Sequence, residues 1–516
     1  MRKLSAILLI MAFTIIPWTG VQANMPTKVK LGNEVLLEKH LDLIRGKKIG
    51  LITNQTGVDS QGRSLVDVFA KETAFQLTAL YAPEHGLDGL AAAGKYVESY
   101  THPQLGIPVY SLYGETRRPT EKMLQNIDVL LFDIQDIGAR SYTYMSTMNY
   151  VIEAAALYSK PVIILDRPNP LGGLIVDGPM MEDPYISFVG IDNLPMAHGM
   201  TAGELALFFN RKLNADLTVI PMEGWTRDMI FQDTGLPWKQ TSPNIPDLVS
   251  CFGYMATGLG EGTRIYQADK FKWIGGKNID ANRFAELMNG AKLPGVTFIP
   301  ENQGEAGGVR LNITDYHQFN PAKTGITALS YAKILTDFKV PKSGNTIVMF
   351  DKIMGTAKIG SGLEKKLPPK ELQALYTDSL TKFKRERQNY LLYGPYYTIG
   401  DITILVNEKP IYFDVAPYSD QNNRLMVPFR AIGEALDAQV NWLPDTKQVS
   451  LLRQGQLLLL TLDSNEAVLN GKSIMMDTKP IIKDNRTLVP LRYVGELLNC
   501  SVHWDNLQKV AHINFN

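Results

Sequence analysis

Glu84-His85, set between Pro83 and Gly86, is the pair whose residue types most directly suggest chemistry. A carboxyl group partly buried at a strand end has its pKa raised, which suits a general acid in glycosidic cleavage. His85 would hold that acid by a hydrogen bond or act on substrate; a loop salt bridge is the plainer reading of the pair. Glycoside hydrolysis commonly uses a second carboxylate. Asp133 and Asp136, either side of Gln135, are candidates, although one of them could instead order Arg140. Tyr142 and Tyr144 stand two apart. Tyr142 reads as a stacking platform for a sugar ring or, equally, as packing at a helix start.

Asp166-Arg167-Pro168-Asn169-Pro170 puts a charged pair and an amide on a loop that prolines stiffen. In His198-Gly199-Met200-Thr201 the threonine is explained as a helix cap completed by Glu204, which leaves His198 for substrate contact. Other chemistries are weak. Ser379-Leu380-Thr381-Lys382 and Lys323-Thr324-Gly325 fit SxxK and KTG in the wrong order, a chance match. GxSxG, Walker and GxGxxG patterns are absent, so nucleotide binding is unsupported. Two cysteines, Cys251 and Cys500, and scattered histidines give no zinc spacing. Neither a metal nor a cofactor is expected.

These groups need elements to position them. Apolar runs at Lys48–Thr53, Gln76–Ala82, Pro108–Leu112, Val129–Ile134, Val162–Leu165 and Leu217–Pro221 alternate with helical stretches such as Ser64–Lys71, Glu121–Gln125 and Tyr144–Ser159. Strand and helix in repetition predict an α/β domain with a mostly parallel, doubly wound sheet. Ligands bind outside the carboxyl ends of such strands. Four of those ends carry Asn54-Gln55-Thr56-Gly57, Pro83-Glu84-His85-Gly86, Gln135-Asp136-Ile137-Gly138-Ala139-Arg140 and Asp166-Arg167-Pro168-Asn169-Pro170. Ordinary turn chemistry accounts for Gly57 and Pro168, but poorly for Glu84, His85, Arg140 or Arg167.

From about 223 to 393 the pattern is mixed, with loop motifs at Ser242-Pro243-Asn244, Gly260-Glu261-Gly262-Thr263-Arg264 and Gly307-Gly308-Val309, and a helical close over Pro368–Tyr393. It reads as an α+β auxiliary domain lending loops to a shared cleft. The chain ends in an internal repeat: Arg424–Arg430 recurs as Arg486–Arg492, and the offset of 62 persists through Trp442 and Trp504. Two copies of a small α+β unit should share one core.

The length of 516 residues implies two or three domains. Lys+Arg and Asp+Glu balance at 52 each, so overall charge argues for neither nucleic acid nor an anionic membrane as partner. A basic start, an apolar run from Leu4 to Ile16 and Val21-Gln22-Ala23 read as a secretory signal over 1–23, hence a secreted protein, with no other segment long and apolar enough to span a bilayer.

The motif series, extended by Tyr110–Gly114, Pro119-Thr120, Tyr142-Thr143-Tyr144, His198–Thr201, Ser242-Pro243-Asn244 and Glu261-Gly262-Thr263, resembles the exo-β-N-acetylmuramidase family from about residue 30 to 393. The resemblance implies a Rossmann-like domain (24–222), an auxiliary domain (223–393) and a cleft between them. It also implies release of N-acetylmuramic acid from the non-reducing ends of peptidoglycan fragments. Glu84 becomes the expected acid, with His85 and Asp136 as further catalytic candidates; Asp136, Asp166 and Glu261 compete as the partner carboxylate. Asn54, Arg140, Tyr142, Asp166, Arg167, Asn169, His198, Asn244, Glu261 and Arg264 become expected sugar-pocket residues. A forked guanidinium suits the lactyl carboxylate of such a substrate; Arg140 is the first candidate, then Arg167 and Arg264. The sequence departs from the family pattern at Ala92, Lys95 and Arg264. Residues 401–516 resemble the domain named after the N-terminal region of copper amine oxidases, for which cell-wall contact and a purely structural role are both open. The second functional reading is a non-catalytic wall-binding protein; an esterase or peptidase lacks a credible nucleophile.

Overall fold

The computed structural model describes residues 29–393, 402–407, 409–411, 417–483, 486–505 and 509–515; the expected export signal lies outside them. Seven strands form the first sheet: β1 (Lys48–Thr53), β2 (Gln76–Ala82), β3 (Tyr100–Thr101), β4 (Pro108–Ser111), β5 (Val129–Asp133), β6 (Val162–Leu165) and β7 (Leu217–Ile220), in the order β3-β4-β2-β1-β5-β6-β7. All neighbours are parallel except the edge pair β3–β4. The parallel strands lie within a residue of the apolar runs. β3 escaped the sequence because two residues show no periodicity.

Side chains of β5 explain why these runs read as continuous. Val129 and Leu131 enter one buried cluster, with α1 (Gly32–Lys39) and α2 (Leu65–Phe69). Leu130 and Phe132 enter another, with α3 (Glu121–Leu124), α4 (Tyr144–Leu157) and α5 (Ala202–Leu213). A sheet covered on both faces needs apolar side chains at every position. Strand order reverses between β1 and β5, which opens a crevice at the carboxyl ends there. α5 starts at the expected cap: Thr201 Oγ1 accepts from the Glu204 amide, and Glu204 accepts from the Thr201 amide.

The second part comprises α6 (Leu248–Thr257), β8 (Ile265–Ala268), β9 (Trp273–Lys277), α7 (Ala281–Gly290), β10 (Val296–Gln303), β11 (Ala306–Ile313), α8 (Pro321–Thr336), α9 (Met349–Met354), α10 (Lys358–Glu364), α11 (Pro369–Ala374) and α12 (Thr377–Glu386). Its antiparallel sheet runs β10-β11-β9-β8. Phe252, Phe284, Phe319 and Phe383 belong to the same buried cluster as Phe132 and Met148, so the two parts share one core. The helical close expected over Pro368–Tyr393 is broken into α11, α12 and a 3₁₀ turn at Arg387–Tyr390. Among the described residues no helix is long and apolar enough to cross a membrane.

The C-terminal repeat closes on itself. Leu425–Pro428 pairs antiparallel with Arg486–Pro490 so that Val427 faces its own counterpart, Val489. Each strand leads into a short helix, Phe429–Ala435 or Leu491–Leu497. Ile432, Leu436, Val449 and Leu451 of the first copy share a core with Val494, Leu498, Ala511 and Ile513 of the second.

Candidate active site

A cavity of about 500 Å³ opens over the carboxyl ends of the parallel sheet. One wall comes from the loops after β2 (Glu84, His85, Ala93), β4 (Tyr113, Arg117) and β5 (Ser141, Tyr142, Thr143), with Ser187-Phe188-Val189 beside them. The other comes from the second part: Ser242, Asn244, Ile245, Tyr254, Phe271, Met349 and Lys352.

Glu84 is 7% exposed, and both carboxyl oxygens are held. Oε1 accepts from the Gly94 amide at 2.8 Å, and Oε2 meets the Thr143 hydroxyl at 2.6 Å. The amide can only donate, so it fixes Oε1 as an acceptor. The hydroxyl donates or accepts, so Oε2 is the atom that can carry a proton. Thr143 is the N-cap of the 14-residue α4, whose amino end favours the carboxylate left once that proton is gone.

His85 adopts φ 72°, a left-handed conformation that histidine tolerates better than most residues. Its Nδ1 lies 2.7 Å from the Ala91 carbonyl oxygen. A carbonyl only accepts, so Nδ1 carries a proton, and in the neutral ring Nε2 has the lone pair. Nε2 has no partner among the described residues.

Tyr142, Tyr254 and Phe271 form an aromatic band on the pocket wall, with ring centroids 5.9 Å and 4.9 Å apart along it. Asp269, Lys270 and Phe271 are successive left-handed residues, a strained arrangement that costs roughly 1 kcal/mol or more per residue and persists only when its surroundings impose it. Here Thr257 donates to the Phe271 carbonyl oxygen, and a Cβ at Gly253 would lie 2.1 Å from that same oxygen.

Glu84 is the sole acid among the described residues lining the cavity; Arg117 and Lys352 bring two cations beside His85. The Arg117 guanidinium lies 4.1 Å from the Phe188 ring centroid and 5.1 Å from that of Tyr113. Burial and the neighbouring Glu84 charge push the Tyr113 hydroxyl up from its ordinary value.

Of the residues expected from sequence, Glu84, His85, Tyr142 and Asn244 meet on this cavity; the others do not line it. Arg140 is redirected: its guanidinium donates to the carbonyls of Pro179, Leu194 and Ile353, tying the two parts together. Burial pulls its pKa down to about 9. Arg167 is clamped bidentately on Asp133 and donates to Val58, with both charged residues buried. Asp166 accepts from the Arg167 and Gly203 amides and the Thr201 hydroxyl, and contacts Tyr393. Burial raises its pKa to about 7.

Asn169 bridges Met200 and Leu171, and Asn54 accepts from Thr56. His198, expected to be free for substrate, is buried: its Nδ1 accepts from the Met200 amide, and Nε2 lies 3.5 Å from Asp136 Oδ2. Asp136 also accepts from Gly138. Its Oδ1 is buried without a partner among the described residues. Glu261 and Arg264 are exposed, outside the cavity. Sequence reasoning missed Arg117, Tyr254, Phe271 and Lys352, since no local pattern links residues so far apart. Tyr113 and Thr143 were inside quoted motifs without being singled out.

Known proteins show the same arrangement of parts. Residues 49–249 match the model of "Exo-beta-N-acetylmuramidase NamZ, N-terminal", and 252–393 that of its C-terminal domain. Residues 405–513 match the copper amine oxidase N-terminal domain. The chain is 42% identical over 389 residues to the peptidoglycan beta-N-acetylmuramidase NamZ of Bacillus subtilis (strain 168), covering 72% of this chain and 93% of that one. A crystal structure of a DUF1343 family protein from Bacteroides fragilis NCTC 9343 aligns with TM-score 0.65 at 36% identity, covering 71% of this chain and 99% of its own. A second DUF1343 protein from that strain aligns with TM-score 0.54 at 29% identity and the same coverage.

Proposed function

The chain belongs to the exo-β-N-acetylmuramidase family and is a glycoside hydrolase. From that premise we propose that it is a secreted, exo-acting enzyme that releases N-acetylmuramic acid from the non-reducing ends of peptidoglycan fragments. The apolar start of the chain supports export, and the strand order and two covered faces support reading the first domain as Rossmann-like and doubly wound.

The observation that carries the mechanism is the asymmetric grip on Glu84. Oε2 gives its proton to the glycosidic oxygen as the bond from that oxygen to the anomeric carbon breaks. The Gly94 amide and the α4 terminus then stabilise the carboxylate that remains. A water attacks the anomeric carbon, and His85 Nε2 takes its proton. Asp136, which does not line the cavity, is held by the Gly138 amide and stands 3.5 Å from His198. The sugar stacks on the band of Tyr142, Tyr254 and Phe271. Arg117 and Lys352, the two cations lining the cavity, take the role first assigned to Arg140 and meet the lactyl carboxylate.

The test is turnover of an aryl β-glycoside of N-acetylmuramic acid together with product analysis on intact glycan strands. Wild type should release the chromophore, and only monosaccharide from strand ends. An intact aryl glycoside would overturn the assignment of substrate; internal fragments would overturn exo-action.

A further inference from the structure

The C-terminal repeat carries a second cavity, of about 480 Å³, that the hydrolytic site does not use. Pro490, Leu491, Arg492, Val502, Trp504 and Lys509 supply its main wall, and Arg424 and Leu425 close it from the first copy. Among the described residues that line it there is no acidic side chain. Arg424 is engaged with Asp477, and Arg492 stands 3.7 Å from Glu496, beyond hydrogen-bonding distance. Lys509 is exposed and has no ion pair among the described residues. Trp504 is half-buried, with an apolar face beside Val502 and Leu491.

An indole flanked by cations that have spare donors is matched to a sugar ring bearing a negative charge. The ring's C–H face covers the indole, and the anion meets Arg492 and Lys509. The repeat states the same triplet twice: Arg430, Trp442 and Lys447 precede Arg492, Trp504 and Lys509 by 62 residues each. Trp442 and Trp504 pack partly against the shared core, whereas Arg430, Arg492, Lys447 and Lys509 are exposed, so packing does not explain the recurrence of the cations.

We propose that this cavity is a binding site for an anionic glycan, namely a peptidoglycan strand, with a sugar ring on Trp504 and a free carboxylate of the strand or its stem peptides on Arg492 and Lys509. It holds the enzyme on the wall independently of the hydrolytic pocket. The proposal rests on the reading of the substrate above, but its test is separable. Full-length protein carrying Glu84→Gln is co-sedimented with purified peptidoglycan freed of phosphate-bearing polymers, and with the same walls before that treatment. Arg492→Gln with Lys509→Gln, both exposed positions, should weaken sedimentation at least fivefold on the stripped material. Trp504→Ala should do likewise and Trp504→Phe should restore most of it.

In the Glu84 background the same variants should turn over the soluble aryl glycoside as wild type does. Undiminished sedimentation of the double variant overturns the site. Binding that vanishes with the phosphate-bearing polymers overturns the ligand. Failure of aryl-glycoside turnover with sedimentation intact would fault the hydrolase substrate and leave this site standing.

Discussion

Two sets of polar loops leave the same edge of the parallel sheet and meet different fates. The loop after β2 presents Glu84 and His85 to an open cavity, with Oε2 held by a hydroxyl that can donate or accept and Nε2 without a partner among the described residues. The loops after β5 and β6 carry Asp136, Asp166 and Arg167, an equally ionisable set, yet Asp166 and Arg167 are taken up by internal partners. A charged residue at a strand end is therefore not in itself a site. What separates the two is whether hydrogen-bonding capacity remains once the fold has drawn on it. Burial without partners would be costly for Asp166 and Arg167, and each is held by neighbouring side chains and backbone: Arg167 by Asp133 and Val58, Asp166 by Thr201 and Gly203.

Substitutions at both ends of this contrast test it. Glu84→Gln should lower kcat/KM on the aryl glycoside by ~10³–10⁴, the upper range for a positioned proton donor, with an unchanged melting temperature. A loss below tenfold would dissolve the distinction between the loops. Asp133→Ala should do the reverse. It strands the buried Arg167 guanidinium and should cost about 3–5 kcal/mol of stability in denaturant titrations, while the folded fraction keeps its turnover.

His85→Gln should reduce kcat by about 10² and flatten the limb of the pH profile that reports the base. Arg117→Gln or Lys352→Gln should each raise KM about tenfold, ~1.4 kcal/mol, with kcat held; the matching glucosaminide, which lacks the carboxylate, should show no such effect.

The smallest expected effect concerns Asp166. Its folded pKa, raised to about 7 from an ordinary 3.8, means the native state keeps a proton that the unfolded chain has lost. This contribution to stability therefore falls as pH rises from about 4 to 7. Melting temperature should decline across that window, and Asp166→Asn, whose amide can still accept from Gly203 and donate to Thr201, should flatten the decline.

How much of this was legible in the sequence follows from the range of each interaction. Strands β1 to β7 apart from β3, the Thr201–Glu204 cap and the C-terminal repeat are local or periodic, so they could be read directly. Glu84 and His85 were found because a carboxyl group and an imidazole at a strand end recur in an ordered motif series. The role of Arg140 was misplaced because its spacing says nothing of Pro179, Leu194 or Ile353, whose carbonyls take its donors. Sequence alone thus determined the parallel sheet, the order of its polar exits and the family. Tertiary structure alone decided which charges are spent and which face the cavity, and it brought Arg117 and Lys352 to one cavity. Hydrogen-bond saturation and long-range packing depend on which distant groups arrive beside a side chain, and the local pattern of residues does not encode that.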